Sequence, residues 1–277
     1  MRYGLYLPNF GEFASARVLA QLVREAEDAG WDGFFLWDHV LTAAPVPFVD
    51  PWVALGAMAL TTERIRLGPL VTPLPRRRPW KLAREAVTVD HLSGGRLVLG
   101  VGIGGDWWRE YSAFGEDAGD VRHGAMLDEG LAVLAGLWSG EPFTFQGSHY
   151  QVNNVQFLPR PLQPRIPIWV AGIWPNQRPF RRAARWDGVF PIGSGAGVSP
   201  ADVRAMLRII LAERTAEAPF DVVVRGRAGH IAPGDTASLL AEYADAGATW
   251  WLEDVRQDAT TEDLRARIAE GPPSGDR

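Results

Sequence analysis

A chain of 277 residues, 47% of them apolar, can bury a large core as one large domain or two small ones. A net charge of −5 offers no basic field for a phosphate backbone, which argues against nucleic acid as a partner. The absence of cysteine removes disulfides, thiolate nucleophiles and Cys-ligated metals.

A single lysine, Lys81, against 27 arginines leaves Schiff-base chemistry one candidate, and five scattered histidines without HxH or HExxH spacing support no metal site. No window approaches 18 uninterrupted apolar residues, and "MRYGLYLPNFGEF" lacks the charged start, apolar run and cleavage site of a leader. The chain therefore reads as soluble and cytoplasmic, without a membrane partner.

Residues 2–8 predict a strand, and 15–30 a helix with Ser15 at its N-cap and Gly30 at its stop. A strand over 33–39 and a helix over 50–63 follow, the helix capped by Asp50 with Pro51 in its first position. Residues 65–71 read as the third strand, 78–95 as a helix opened by Pro79, and 96–102 as the fourth strand, with one or two helices before 140. The alternation then pauses. Residues 141–152 look like a hairpin turning on Gly147-Ser148, and 157–167 are too rich in proline for either regular state. Strands at 168–172, 188–192, 220–226 and 248–254 alternate with helices at 176–186, 199–215, 235–247 and 260–270, and the tail from 271 is expected to be disordered.

Eight strand–helix units predict an α/β chain folded as one (β/α)8 TIM barrel over 1–277, with a hairpin and proline-rich insertion at about 141–167. A doubly wound open sheet is the alternative. Gly100, Gly102 and Gly105 spell GxGxxG, but they follow the fourth strand rather than the first, and no compact return strand comes after them. Those glycines read instead as backbone that approaches a bound ring.

In such a barrel the functional groups stand at the C-terminal ends of strands. The second strand, "FFLWDHV", runs four large apolar residues into Asp38 and His39, two groups that a core must pair or expel. The other strand ends add Asn9, Phe10, Val71, Thr72, Gly102–Asp106, Gly172–Trp174, Gly193, Ser194, Glu253 and Asp254. Wide flat residues, a few ionisable groups and glycine at two mouths suit a planar aromatic ligand.

The motifs "YGLYLPNFG", "GWDGFFLWDHV", "TERIRLGPLVTP", "REAVTVDHLSGGRLVLGVGIG", "RPLQPRIPIWVAG", "RRAARWDGVFP" and "YADAGATWW" resemble, in family order, the luciferase-like flavin-dependent oxidoreductases. That group includes bacterial luciferase and deazaflavin-dependent dehydrogenases and reductases. The resemblance implies a barrel with insertions, a flavin-type cofactor in its mouth and a homodimer formed through helices on one side. It makes His39 the active-site histidine, with Asp38 beside it and Trp37 against the cofactor, and Asp106 the nearest counterpart of a family glutamate acid, displaced by one residue. It places Leu70, Val71 and Thr72 on a bulge with a cis Leu70–Val71 bond, Gly102 at the next mouth, and Ala171, Gly172, Ile173, Asn176 and Arg178 where the cofactor phosphate is received. Family members often carry a threonine and a lysine after the next strand, where this chain has Pro191 and Ser194. The arginines of "PRRRPWK" (75–81) read either as reaching an anionic cofactor tail or as a solvated loop.

The implied activity is hydride transfer between a deazaflavin, coenzyme F420, and a small organic substrate. The alternative is an FMN monooxygenase using separately supplied reduced flavin and oxygen. A barrel lyase, isomerase or hydrolase working through Asp38 and His39, or a flavin-binding protein without catalysis, are further readings. Fold and cofactor do not fix the substrate.

Overall fold

The computed structural model describes residues 1–117, 119–193, 197–227 and 233–273; Ser194, His230 and the end of the tail from 274 lie outside them. The strands are β1 (Arg2–Leu7), β2 (Gly33–Leu36), β3 (Arg66–Pro69), β4 (Thr72–Pro73), β5 (Leu99–Gly102), β6 (Phe143–Gln146), β7 (Gln151–Val155), β8 (Ile168–Ile173), β9 (Gly188–Ile192), β10 (Asp221–Gly226) and β11 (Trp250–Asp254). The helices are α1 (Ala16–Asp28), α2 (Pro51–Leu60), α3 (Pro79–Leu92), α4 (Asp120–Trp138), α5 (Arg178–Ala183), α6 (Pro200–Glu213), α7 (Pro233–Asp245) and α8 (Thr261–Ala269).

Nine strands hydrogen-bond in the order β3-β2-β1-β11-β10-β9-β8-β5-β4, and all their pairings are parallel. The two ends of that order are one stave. β3 and β4 are separated only by Leu70 and Val71, whose peptide bond is cis as the resemblance implied, and Leu67 bridges Leu97 just before β5. Nine segments therefore make an eight-stave barrel surrounded by helices, the predicted TIM barrel and not an open sheet.

Local chemistry explains the elements. Ser15 accepts the Val18 N–H at 3.4 Å, and Leu19, Leu22, Val23 and Ala26 then bury one face of α1 at helical spacing. Asp50 accepts the Val53 N–H at 2.9 Å ahead of Pro51, and capping boxes open α6 at Ser199 and α8 at Thr260. Each stave packs helices on its outer face and its fellow staves on the inner, so strand sequences are apolar on both sides. Phe35, Trp169 and Trp250 fill the interior with ring centroids 5.3–5.8 Å apart. The barrel is thus packed through its middle, and ligand space lies at its mouth.

A single long helix, α4, occupies the segment before residue 140, within the one or two expected there, preceded by a 3-10 turn at Ser112–Phe114. Two other expectations need adjusting. The helix expected over 176–186 contracts to the six residues of α5, with Pro179 in its first turn. Gly100 serves close packing between strands instead of approaching a ring: a Cβ on it would lie 2.2 Å from the Leu70 side chain and 2.5 Å from the Pro69 carbonyl, so glycine lets β5 pack against the bulge at this position. The hairpin forms outside the barrel from antiparallel β6 and β7, held to α4 by Glu129, which accepts the N–H groups of Ser148, His149 and Tyr150 at 2.8–3.0 Å.

Candidate active site

The chain leaves β2 at Leu36 and carries Trp37, Asp38 and His39 over the barrel mouth. Asn9, at the end of the neighbouring stave, fixes that exit: its amide donates to the His39 carbonyl at 2.9 Å and its oxygen accepts the His39 N–H at 3.1 Å. Below lies a cavity of about 640 Å³, within the range of ligand sites. His39, Asp38, Asp106, Leu70, Val71, Gly102, Ala171, Gly172, Ile173, Asn176 and Arg178 line it together. Trp37 and Thr72 do not. Trp37 stands behind His39, ring centroids 5.7 Å apart, with its indole N–H buried and without an acceptor. Thr72 is buried completely, donating its hydroxyl to Asp38 Oδ2 at 2.8 Å and accepting from Trp52 Nε1 at 3.1 Å.

The imidazole of His39 packs against Trp108 at 4.6 Å, and its Nδ1 lies 2.8 Å from Oε2 of Glu110. Glu110 is the residue that sequence reasoning missed. It sits in the irregular segment after β5, where no periodicity marks it, and is almost fully buried. Its Oε1 accepts from the Val40 N–H at 2.8 Å and from Arg76 Nη1 at 2.9 Å. Burial pushes this carboxyl up, but the His39 hydrogen bond and charge, the Val40 N–H and the Arg76 guanidinium prevail, and its pKa lies below the ordinary glutamate value. The carboxylate thereby requires a proton on Nδ1, which leaves Nε2 as the ring nitrogen able to accept one.

Asp38 has a different part. Its side chain is 0% exposed and both oxygens are engaged, Oδ1 by Arg76 at 3.1 Å and Arg77 at 2.9 Å, Oδ2 by Arg77 and Thr72 at 2.8 Å. With every lone-pair direction occupied, it positions Arg76 and the turn to His39 rather than meeting a ligand. Two of the three arginines of the 75–81 stretch are accounted for in the same way: Arg76 and Arg77 are neither solvated nor free for a cofactor tail, because they neutralise the two buried carboxylates Asp38 and Glu110, whereas Arg78 is exposed, as the solvated reading has it. The two guanidiniums balance Asp38 and Glu110, with Glu85 4.0 Å from Arg77 at the edge of the cluster.

Asp106 lines the cavity but caps a turn, its Oδ1 accepting the N–H of Tyr111 at 2.8 Å and of Ser112 at 3.1 Å. Hydrogen bonds from Ser112 and Tyr111 hold its carboxyl below the usual aspartate range, the wrong direction for a proton donor. The helix start near Asn176 is also altered. Asn176 N–H is bonded to Ile173, Arg178 N–H to the Asn176 side chain at 3.2 Å, and Pro179 has none, so a fan of free N–H groups does not form. An anion there would be held by the Arg178 guanidinium, which makes no ion pair among the described residues.

A family model described as "Luciferase-like monooxygenase" matches residues 1–273. The chain belongs to that family. Membership makes it an oxidoreductase by class. It is 34% identical over 197 residues to an F420-dependent glucose-6-phosphate dehydrogenase of Beutenbergia cavernae, a match covering 69% of this chain and only 56% of the relative. Two solved structures share its fold. The coenzyme F420-dependent tetrahydromethanopterin reductase of Methanopyrus kandleri superposes with a TM-score of 0.78 at 17% identity, and a monooxygenase from Streptomyces bottropensis with 0.76 at 21%; each match covers 98% of both chains. Among the described residues no helix is long and apolar enough to cross a membrane.

The cavity fits a family cofactor ring. Val71 and Gly102 adjoin so closely that a Cβ on Gly102 would lie 3.0 Å from Val71, giving a low wall beside the bulge, and Ala171–Ile173 face it. Arg178, without an ion pair among the described residues, stands at the same cavity.

Proposed function

We propose that this chain binds a deazaflavin of the coenzyme F420 type in the mouth cavity and moves a hydride between it and a small organic substrate, with His39 as the acid–base group. The observation that carries this reading is the contact of His39 with the buried Glu110 at 2.8 Å, set in a cavity of ligand size. Removing a hydride from an alcohol carbon also requires removing the hydroxyl proton. Nε2 of His39 is available to take it, and Glu110 stabilises the imidazolium that results. Leu70, Val71 and Gly102 would support the ring and Arg178 its phosphate, while Phe10, Trp37 and Trp108 shield the imidazole from water. When bound, the deazaflavin supplies two-electron hydride chemistry.

FMN with oxygen is the second reading, favoured by the description of the matching family and by the monooxygenase fold likeness. Titrating the purified protein with F420, FMN and NADPH and following fluorescence tests the choice. F420 should bind tightest; tight FMN binding with rapid oxidation of its reduced form would transfer the assignment to a monooxygenase.

A homodimer belongs to the same proposal. α2 turns Val53, Gly56, Ala57 and Leu60 outward at helical spacing, with Val53 and Leu60 well exposed, a stripe that a second copy would cover. Sedimentation equilibrium showing a monomer at micromolar concentration would contradict it.

A further inference from the structure

We infer that the substrate of this site is an uncharged molecule, a hydroxyl or carbonyl group on an apolar body, and that phosphorylated and carboxylated substrates are rejected. The inference rests on the hydride-transfer reading above and concerns what the remaining cavity can hold beside the cofactor.

Charge is the first ground. Two arginines line the cavity among the described residues, Arg178 and Arg182. Arg182 is spent on Asp128, at 2.8 and 2.9 Å through two nitrogens, and on the Gly124 carbonyl at 3.2 Å. Arg76 and Arg77, beneath His39, are held by Asp38 and Glu110. Arg178 alone is left, and a flavin-type cofactor brings a phosphate of its own to claim it. The other charges on the wall are Asp106, kept ionised by its turn, and Asp120 in the first turn of α4. Among the described residues of the wall, a second anion would meet carboxylates and no cation left unpaired, an arrangement that selects by repulsion.

The second ground is the rim. Trp107 is 71% exposed, Val121 76% and Ile173 44%, and all three line this one cavity from three different elements. Large apolar side chains left to water around a concave site mark a surface to be covered by an apolar ligand. Trp107 belongs to the segment that also supplies Trp108, against the His39 ring, and Glu110, on its Nδ1. One segment therefore carries both the apolar wall and the proton-accepting pair, so a substrate body resting on Trp107 and Val121 brings its oxygen to His39. In the forward direction the substrate carbon loses a hydride to the oxidised ring, the oxygen loses its proton to His39 Nε2, and a carbonyl remains.

The test begins with a fluorescence titration that establishes F420 binding. The F420-loaded protein is then titrated by calorimetry with cyclohexanol, 2-octanol and glucose 6-phosphate, and the same ligands are scored by saturation-transfer NMR. Binding of at least one alcohol, with the sugar phosphate silent, is the expected result. In Val121→Asp the alcohol affinity should fall about tenfold, as loss of a covered isopropyl group implies, with F420 affinity unchanged. Glucose 6-phosphate binding as tightly as the alcohols, or no binding by either alcohol at millimolar concentration, overturns this inference while the cofactor reading stands. Failure to bind F420 overturns both.

Discussion

In the proposed reaction His39 works with a group 71 residues further along the chain, the almost fully buried Glu110, whose carboxylate lies 2.8 Å from its Nδ1. Replacing His39 by Asn removes the proton acceptor from a side chain that is 24% exposed, so the fold should tolerate it. Turnover is expected to drop by roughly 10²–10⁴ while F420 affinity and melting temperature barely change; equal losses in folding and activity would show the histidine to be structural. Arg77→Met should behave in the opposite way. It leaves the fully buried Asp38 carboxylate with only Arg76 and Thr72 as partners and is expected to cost about 1–3 kcal/mol of stability, measured by urea unfolding. Asp38 and His39 were legible because titratable groups ended an apolar strand. Glu110 was not, since a contact across 71 residues leaves no local pattern, and Asp106, nearer the resembling motif, drew the acid role that its turn-capping bonds deny it.

Between elements, the register of α1 on the barrel is set by one carboxylate. Glu27, near the end of α1, is buried and accepts the N–H groups of Glu63, Arg64 and Ile65 at 2.6–3.1 Å, just ahead of β3. Burial raises its pKa, but those three N–H groups and the Arg64 charge outweigh it, and the carboxyl titrates below the ordinary glutamate value. A depressed folded pKa contributes stability in full above the unfolded value of about 4.3. That contribution disappears as pH falls through the folded value. Glu27→Gln should therefore lower stability by about 1–3 kcal/mol at pH 7, flatten the loss of stability below about pH 4, and leave activity per folded molecule intact. An unchanged acid limb would show that the clamp does not operate. Helix caps at Ser15 and Asp50 are local and were readable by residue type, whereas this clamp, like the shortening of α5, depends on which backbone groups meet in space.

Across the whole molecule, the barrel was legible because eight buried staves impose eight apolar runs at regular intervals, and only their ends were misjudged where polar groups take over from the ladder. The GxGxxG run shows why a motif needs its context: two of the glycines that spell a dinucleotide fingerprint, Gly100 and Gly102, here let β5 press against the Leu70–Val71 bulge. In the proposed reading the chemistry is set at the barrel mouth, where, among the described residues lining the cavity, His39 Nε2 and the Arg178 guanidinium are uncommitted. The most direct test is anaerobic stopped-flow mixing of the F420-loaded protein with a panel of secondary alcohols, following bleaching of the oxidised ring in the wild type and in His39→Asn. The account predicts bleaching that oxygen does not alter and that the His39→Asn substitution slows by at least about 10². Loaded wild-type protein that never bleaches, or that bleaches equally fast without His39, would contradict it.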